Sequence, residues 1–95
     1  MGNTASRKRS LEYDKNHNQE DMFYWFVAID AEVNMRDKLG VVSAFQKHRL
    51  TFTQRTSGCE FNVYASVKQM KKLFKACKSI STAVEISRRQ FRVHF

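Results

Sequence analysis

The chain has 95 residues, 17 Lys+Arg against 9 Asp+Glu, and a formal net charge of +8. That length allows one small domain, and 42% hydrophobic with 13% aromatic residues is enough for a thin core, which excludes wholesale disorder. With no proline and three glycines it is not a collagenous or Pro-rich linker protein, and its longest apolar run, Met22–Ile29, is far short of the about 20 residues of a spanning helix.

The charge is segmented. Residues 1–10 carry Arg7, Lys8 and Arg9; residues 11–33 carry six acids and one Lys; residues 34–95 carry 13 bases and three acids. The basic surface therefore belongs to the C-terminal two-thirds, with a separate cluster near the N-terminus. Such a surplus implies an acidic partner, either an anionic membrane surface or nucleic acid.

Residues 1–21 read as a flexible arm. They are polar, lack period, and carry no secretory signal. Residues 22–95 read as a single α+β domain. Phe23–Val33 is rich in aromatic and β-branched residues and predicts a strand. Phe23, Trp25, Val27, Ile29 and Val33 share one face; Tyr24, Phe26 and Ala28 share the other. Asn34 is a candidate N-cap for a helix over 35–48, with Met35, Leu39, Val42 and Phe45 as its apolar positions. Gly40 inside it costs up to about 1 kcal/mol.

Leu50–Thr56 and Cys59–Ala65 alternate as strands around the Ser57-Gly58 turn, a hairpin. Ser66 can cap a second helix. On it Val67, Met70, Leu73, Phe74 and Cys77 fall on one arc, and Lys68, Lys71, Lys72, Lys75 and Lys78 on the opposite one. Thr82–Phe95 predicts a last strand, whose change of phase a bulge or bend near Ser87–Arg89 would reconcile. The order β-α-β-β-α-β is that of a ferredoxin-like split βαβ fold: a four-stranded antiparallel sheet with two helices on one face.

Met1-Gly2-Asn3-Thr4-Ala5-Ser6 matches the N-myristoylation pattern: a glycine behind a removable Met, small residues next, then Ser6. One acyl chain gives only marginal membrane affinity, so a second signal is needed. Arg7, Lys8 and Arg9 supply one, the alternative for them being a solvated tail or a weak nuclear-import signal. Ser10 follows three bases, as basophilic kinases favour, and phosphate there would offset the local charge. The five lysines from Lys68 to Lys78 are not interleaved with acids, so they repel one another on an isolated helix. Arg88, Arg89 and Arg92 add further bases on the last strand.

Tyr24, Phe26 and Tyr64 are placed on the sheet face opposite the helices. RNA-recognition modules stack bases on aromatics of two such central strands. Gly58–Tyr64 departs from their third-strand signature at Cys59 and Glu60, and Trp25–Asp30 is similar to the first-strand signature only loosely. Covering by a second copy, a homodimer through the sheet, is the other reading of these aromatics.

Cys59 and Cys77 read as reduced thiols on apolar faces, not a disulfide framework. His17, His48 and His94 have no metal-ligand spacing with them, so no metal or other cofactor is expected. Asp30 and Glu32 read as a solvated strand end, and nothing else suggests catalysis. The expectation is a non-enzymatic, cytoplasmic, peripheral membrane interaction protein, an adaptor or matrix-type protein anchored through Gly2 and bases. Small, basic, acylated chains of this profile resemble viral matrix and accessory proteins. An RNA-binding module using the basic helix and last strand is the alternative.

Overall fold

A computed structural model describes residues 9–30, 34–56 and 58–86. The fold is α+β, with two helices and a mixed five-stranded sheet. Its elements are β1 (Ser10–Glu12), β2 (Met22–Ile29), α1 (Met35–Lys47), β3 (Thr51–Gln54), β4 (Glu60–Ser66), α2 (Val67–Ala76) and β5 (Ile80–Glu85). Strand order across the sheet is β1-β5-β2-β4-β3. The pairs β5/β2, β2/β4 and β4/β3 are antiparallel, and β1 lies parallel to β5.

The four-stranded, all-antiparallel sheet expected from the sequence is therefore not what forms. A fifth strand, β1, comes from the segment read as a flexible arm. Three residues are too short to show a period of their own. What fixes them is tertiary: Leu11 and Tyr13 pack against the core, and the register sets Ser10 opposite Thr82 and Glu12 opposite Val84.

One core joins both helices to one sheet face. Trp25, Val27 and Ile29 of β2 and Phe61, Val63 and Ala65 of β4 point into it, as period-two alternation requires. Val67, Met70 and Leu73 of α2, Val41 and Phe45 of α1, and Ile80 and Ala83 of β5 close it. Each such large side chain contributes about 1.5–3 kcal/mol by leaving water. The Trp25 indole N–H donates to the Ala65 carbonyl at 2.9 Å, so its polar atom is satisfied where it is buried. Phe45, Phe52 and Phe61 form an aromatic cluster beneath α1 and β3, with Phe45 4.8 Å and 5.0 Å from the other two rings.

Asn34 caps α1 as expected, accepting from the Asp37 N–H at 2.9 Å. The buried stripe of α1 differs from the expected one. Val41 and Phe45 are buried, whereas Met35 is 67% and Leu39 60% exposed. The helix is rotated so that Lys38, Val42 and Ala44 flank Val41 and Phe45, a tighter i, i+3, i+4, i+7 stripe than one starting at Met35. The hairpin between β3 and β4 closes through Arg55 to Gly58, whose N–H donates to the Arg55 carbonyl at 2.9 Å and whose φ of +80° suits glycine.

The last strand starts two residues earlier than expected. The bulge anticipated near Ser87–Arg89 lies outside the described residues. An irregularity is instead found at Ser81, where Ala28 pairs with Thr82 but Ile29 pairs with Ile80. The extra residue lets Ile80 and Ala83, three apart, face the same core, and the Ser81 hydroxyl donates to the Ala28 carbonyl at 3.1 Å.

Candidate anion-binding face on the second helix

Helix α2 is the best-specified element of the chain. The Ser66 side chain accepts from the Gln69 N–H, and the Gln69 side chain accepts from the Ser66 N–H at 2.9 Å, a complete capping box. Val67, Met70 and Leu73 anchor one side of the helix in the core. That fixes its rotation and leaves Lys68, Lys71, Lys72 and Lys75 exposed together, the arrangement read from their spacing, whereas Lys78, expected on the same helical arc, is exposed in the turn beyond the extended C-cap Cys77.

The N-terminal segment braces this helix at both ends. Lys68 N–H, an orphan donor of the first turn, donates to the Gln19 carbonyl at 3.0 Å. At the other end the Arg9 guanidinium donates from Nη2 to the Phe74 carbonyl at 2.7 Å and the Cys77 carbonyl at 2.9 Å, and from Nε to the Ile80 carbonyl at 2.9 Å. It also lies 4.0 Å from the centroid of the Phe74 ring. A cation set on the last carbonyls of a helix is favoured by the helix dipole. Arg9 is thus attached to the fold while remaining exposed.

The same segment adds to the basic face. Lys15 and Lys71 both lie beside the Tyr13 ring, at 5.5 and 5.6 Å from its centroid, and Tyr13 in turn packs on Trp25 at 6.3 Å. Sequence reasoning missed Lys15 and Tyr13; a lone aromatic in a polar segment was the one available signal. Among the described residues, Glu20 reaches this face, 3.7 Å from Lys68. Both partners are exposed, so the pair contributes about 0–1 kcal/mol and does not neutralise the helix.

A second polar contact fastens the segment to β5. Glu85 accepts from the Asp14 N–H at 3.0 Å and lies 2.7 Å from His17 Nε2, whose ring stacks on Phe23 at 4.2 Å. Ser10, the candidate phosphorylation site, sits half-buried in β1. Gly2, Arg7, Lys8, Arg88, Arg89 and Arg92 lie outside the described residues.

Both cysteines are reduced and half-buried. Burial pushes the Cys77 thiol above its ordinary pKa, against the smaller opposing effects of N–H donors from Ser79 and Ile80 and of the Arg9 charge. It is a protonated, weakly nucleophilic thiol at neutral pH.

The opposite sheet face is of another kind. Tyr24 and Tyr64 are directly paired across β2 and β4, their rings 4.8 Å apart and tilted by 44°. Phe26 lies in the same row, between Asn62 and Val84. So the three aromatics expected to share a face do share it. Arg55 is 3.6 Å from Glu60 at its margin. The lysines and these aromatics lie on opposite sides of the sheet.

Comparison with family models, with curated proteins and with solved structures finds no match to this chain. No helix among the described residues is long and apolar enough to cross a membrane.

Proposed function

We propose that this is a non-enzymatic protein that docks on anionic membrane surfaces, an adaptor, matrix-type or viral accessory protein anchored by a myristoyl group on Gly2 and by its lysine helix. The observation that carries this reading is the attachment of Arg9 to the C-terminal end of α2. Gly2 is seven residues before Arg9 and therefore tethered within about 24 Å of that point. Helix α2 itself is about 15 Å long. An acyl chain on Gly2 is thus held within reach of the same surface that carries Lys68 to Lys78.

The two signals complement each other in magnitude. A myristoyl chain alone partitions with K of about 10⁴ M⁻¹. Each lysine near an anionic leaflet adds about 1 kcal/mol, roughly fivefold. In the same reading, strands β2 to β5 with the two helices constitute a ferredoxin-like split βαβ unit, to which β1 is appended as a brace for α2.

Co-sedimentation of the protein from eukaryotic cells with neutral and phosphatidylserine-containing vesicles tests the proposal, alongside intact mass. Expected are a myristoyl-sized mass increase with Met1 removed and salt-sensitive binding to the anionic vesicles. Gly2→Ala and Lys71→Glu/Lys75→Glu should each weaken that binding. An unmodified mass, or equal binding to both vesicle types, overturns it.

The exposed Tyr24–Tyr64 pair favours a second reading, base stacking on RNA. Its weakness is geometric. Bases stacked on the sheet face would place the phosphates away from the lysines on the far side. RNA affinity that falls steeply with salt, in a protein that ignores anionic vesicles, would select it.

A further inference from the structure

The packing of α1 leaves two large apolar side chains unused. Val41 and Phe45 are buried, yet Met35 is 67% and Leu39 60% exposed. These two stand at i, i+4, side by side on the helix. A single exposed Leu needs no explanation, but the setting of this pair calls for one. At about 100° per residue, Arg36, Leu39, Ser43 and Lys47 form the stripe opposite Val41 and Phe45, and all four are exposed. That stripe holds two bases and no acid. Asp37, the one acid of α1, lies well round the helix from it.

We propose that this surface inserts into a membrane: Met35 and Leu39 enter an anionic leaflet below its headgroups, while Arg36 and Lys47 of α1 and the lysines of α2 meet the headgroup phosphates. The inference rests on the membrane reading above and names the protein side chains that cross into the lipid.

Orientation is the first ground for a lipid surface as the occupant. Both helices pack on one sheet face through one core, so their outer stripes turn the same way, away from the sheet. Lys68, Lys72 and Lys75 are the outermost positions of α2, opposite Val67, Met70 and Leu73. Helices packed side by side lie about 8–10 Å apart, so the two stripes belong to one surface.

Location is the second. Burial is the chief cause of the raised Cys77 pKa and the Asp37 carboxylate a smaller one, which sets the first turn of α1 near the C-terminal end of α2. Arg9 is fastened at that same end. An acyl chain on Gly2, tethered within about 24 Å of Arg9, is therefore within reach of the lipid that Met35 and Leu39 would enter.

Chemistry is the third. Apolar side chains flanked by Arg and Lys are what an interfacial helix presents to an anionic leaflet. RNA phosphates would meet the same bases and leave Met35 and Leu39 facing charge. The acids at the margin are opposed by bases: Glu20 lies 3.7 Å from Lys68, and the charges of Asp37 and Arg9 act on the same Cys77 thiol in opposite senses.

Fluorescence quenching by phosphatidylserine vesicles containing brominated phosphatidylcholine, with the full acylated chain, tests the proposal. Leu39→Trp should be quenched well beyond the buried Trp25 of the parent. Thr53→Trp, exposed on the far side of the sheet, should not. Met35→Ser/Leu39→Ser should bind the vesicles at least tenfold more weakly, with the far-UV dichroism unchanged because both positions are exposed. That loss should be the same factor at low and high salt, since it is apolar, whereas Lys71→Glu/Lys75→Glu should flatten the salt dependence. A parent that binds the vesicles while Leu39→Trp stays unquenched, as expected of a helix that serves a protein partner instead, overturns this inference and leaves anchoring by Gly2 and the lysines intact. So does parent-like binding by the double serine variant. A parent that binds no anionic vesicle overturns both.

Discussion

The guanidinium of Arg9 lies over the ring of Phe74, 4.0 Å from its centroid, and donates to the carbonyl of the same residue at 2.7 Å. Sixty-five residues apart in the chain, the two meet because β1 runs alongside β5 and delivers Arg9 to the end of α2. The contact links the N-terminal segment to the basic helix and gives the first prediction.

Arg9→Ala removes the bonds to the Phe74, Cys77 and Ile80 carbonyls together with the ring contact. Because the site is exposed, water replaces part of the loss, and the expected cost is about 1–2 kcal/mol. Chemical denaturation followed by the single Trp25 would measure it. Amide exchange at Leu11 and Glu12 should accelerate more than exchange at β4. Unchanged exchange in β1 would mean that Arg9 does not hold the strand.

Lys72 faces Lys68 and Lys75 one turn away on either side, all exposed. Lys72→Glu turns two repulsions into i, i+3 and i, i+4 attractions and should stabilise the fold by about 0.5 kcal/mol. The same change should weaken binding to anionic vesicles. A thermal-melt shift upward with a binding shift downward is the signature of a helix whose charge serves a ligand at some cost to stability. A lower melting temperature would contradict it.

Two positions of α1 and its closing turn carry the less favourable residue. Gly40 sits exposed inside the helix with open space where a Cβ would stand, nothing lying within 4 Å of that point, so Gly40→Ala should stabilise by about 0.5–1 kcal/mol. Arg49 has a φ of 59° in the turn that ends the helix, where its N–H donates to Gln46 and the Leu50 N–H donates to Phe45. That is a Schellman closure, which prefers glycine, so Arg49→Gly should stabilise by about 0.5–1 kcal/mol. Urea midpoints of the two single variants and the pair would test both, and near-additive effects are expected.

Cys77 gives a pH dependence with a definite sign. Burial raises its thiol pKa in the folded state, so the unfolded chain loses this proton first as pH rises. The folded protein then holds more protons than the unfolded one, and stability falls as pH rises from about 9 upward. Cys77→Ala should flatten this part of the profile relative to the parent. Alkylation of Cys77 in the folded protein should be slower than of a peptide thiol at pH 8, and a faster reaction would show that burial does not control it.

Much of the site was legible because α2 carries local signals that do not depend on the rest of the fold. The Ser66 cap, the apolar positions 67, 70 and 73, and the lysines between them set the helix and its exposed face by spacing alone. The alternation of β2 and β4 likewise placed Trp25 and Val63 inside and Tyr24 and Tyr64 outside. The apolar face of α1 was misread at Met35 and Leu39. The reason is that the expected and observed stripes share Val42 and Phe45, and the burial of Val41 in the core, which turns Leu39 outward, is a tertiary choice that spacing does not make.

The sequence by itself determined the helix and strand types, the buried side of the central strands and the basic face of α2, since each follows from a period read over neighbouring residues. Only the tertiary structure decided that residues 10–12 add a parallel strand, that Arg9 and Gln19 hold the two ends of α2, and that the bulge falls at Ser81. Those contacts join residues far apart in the chain, most of them more than 50 positions. No local pattern encodes them; they form where the folded core brings an orphan helix carbonyl, an unpaired strand edge and a long polar side chain to the same place.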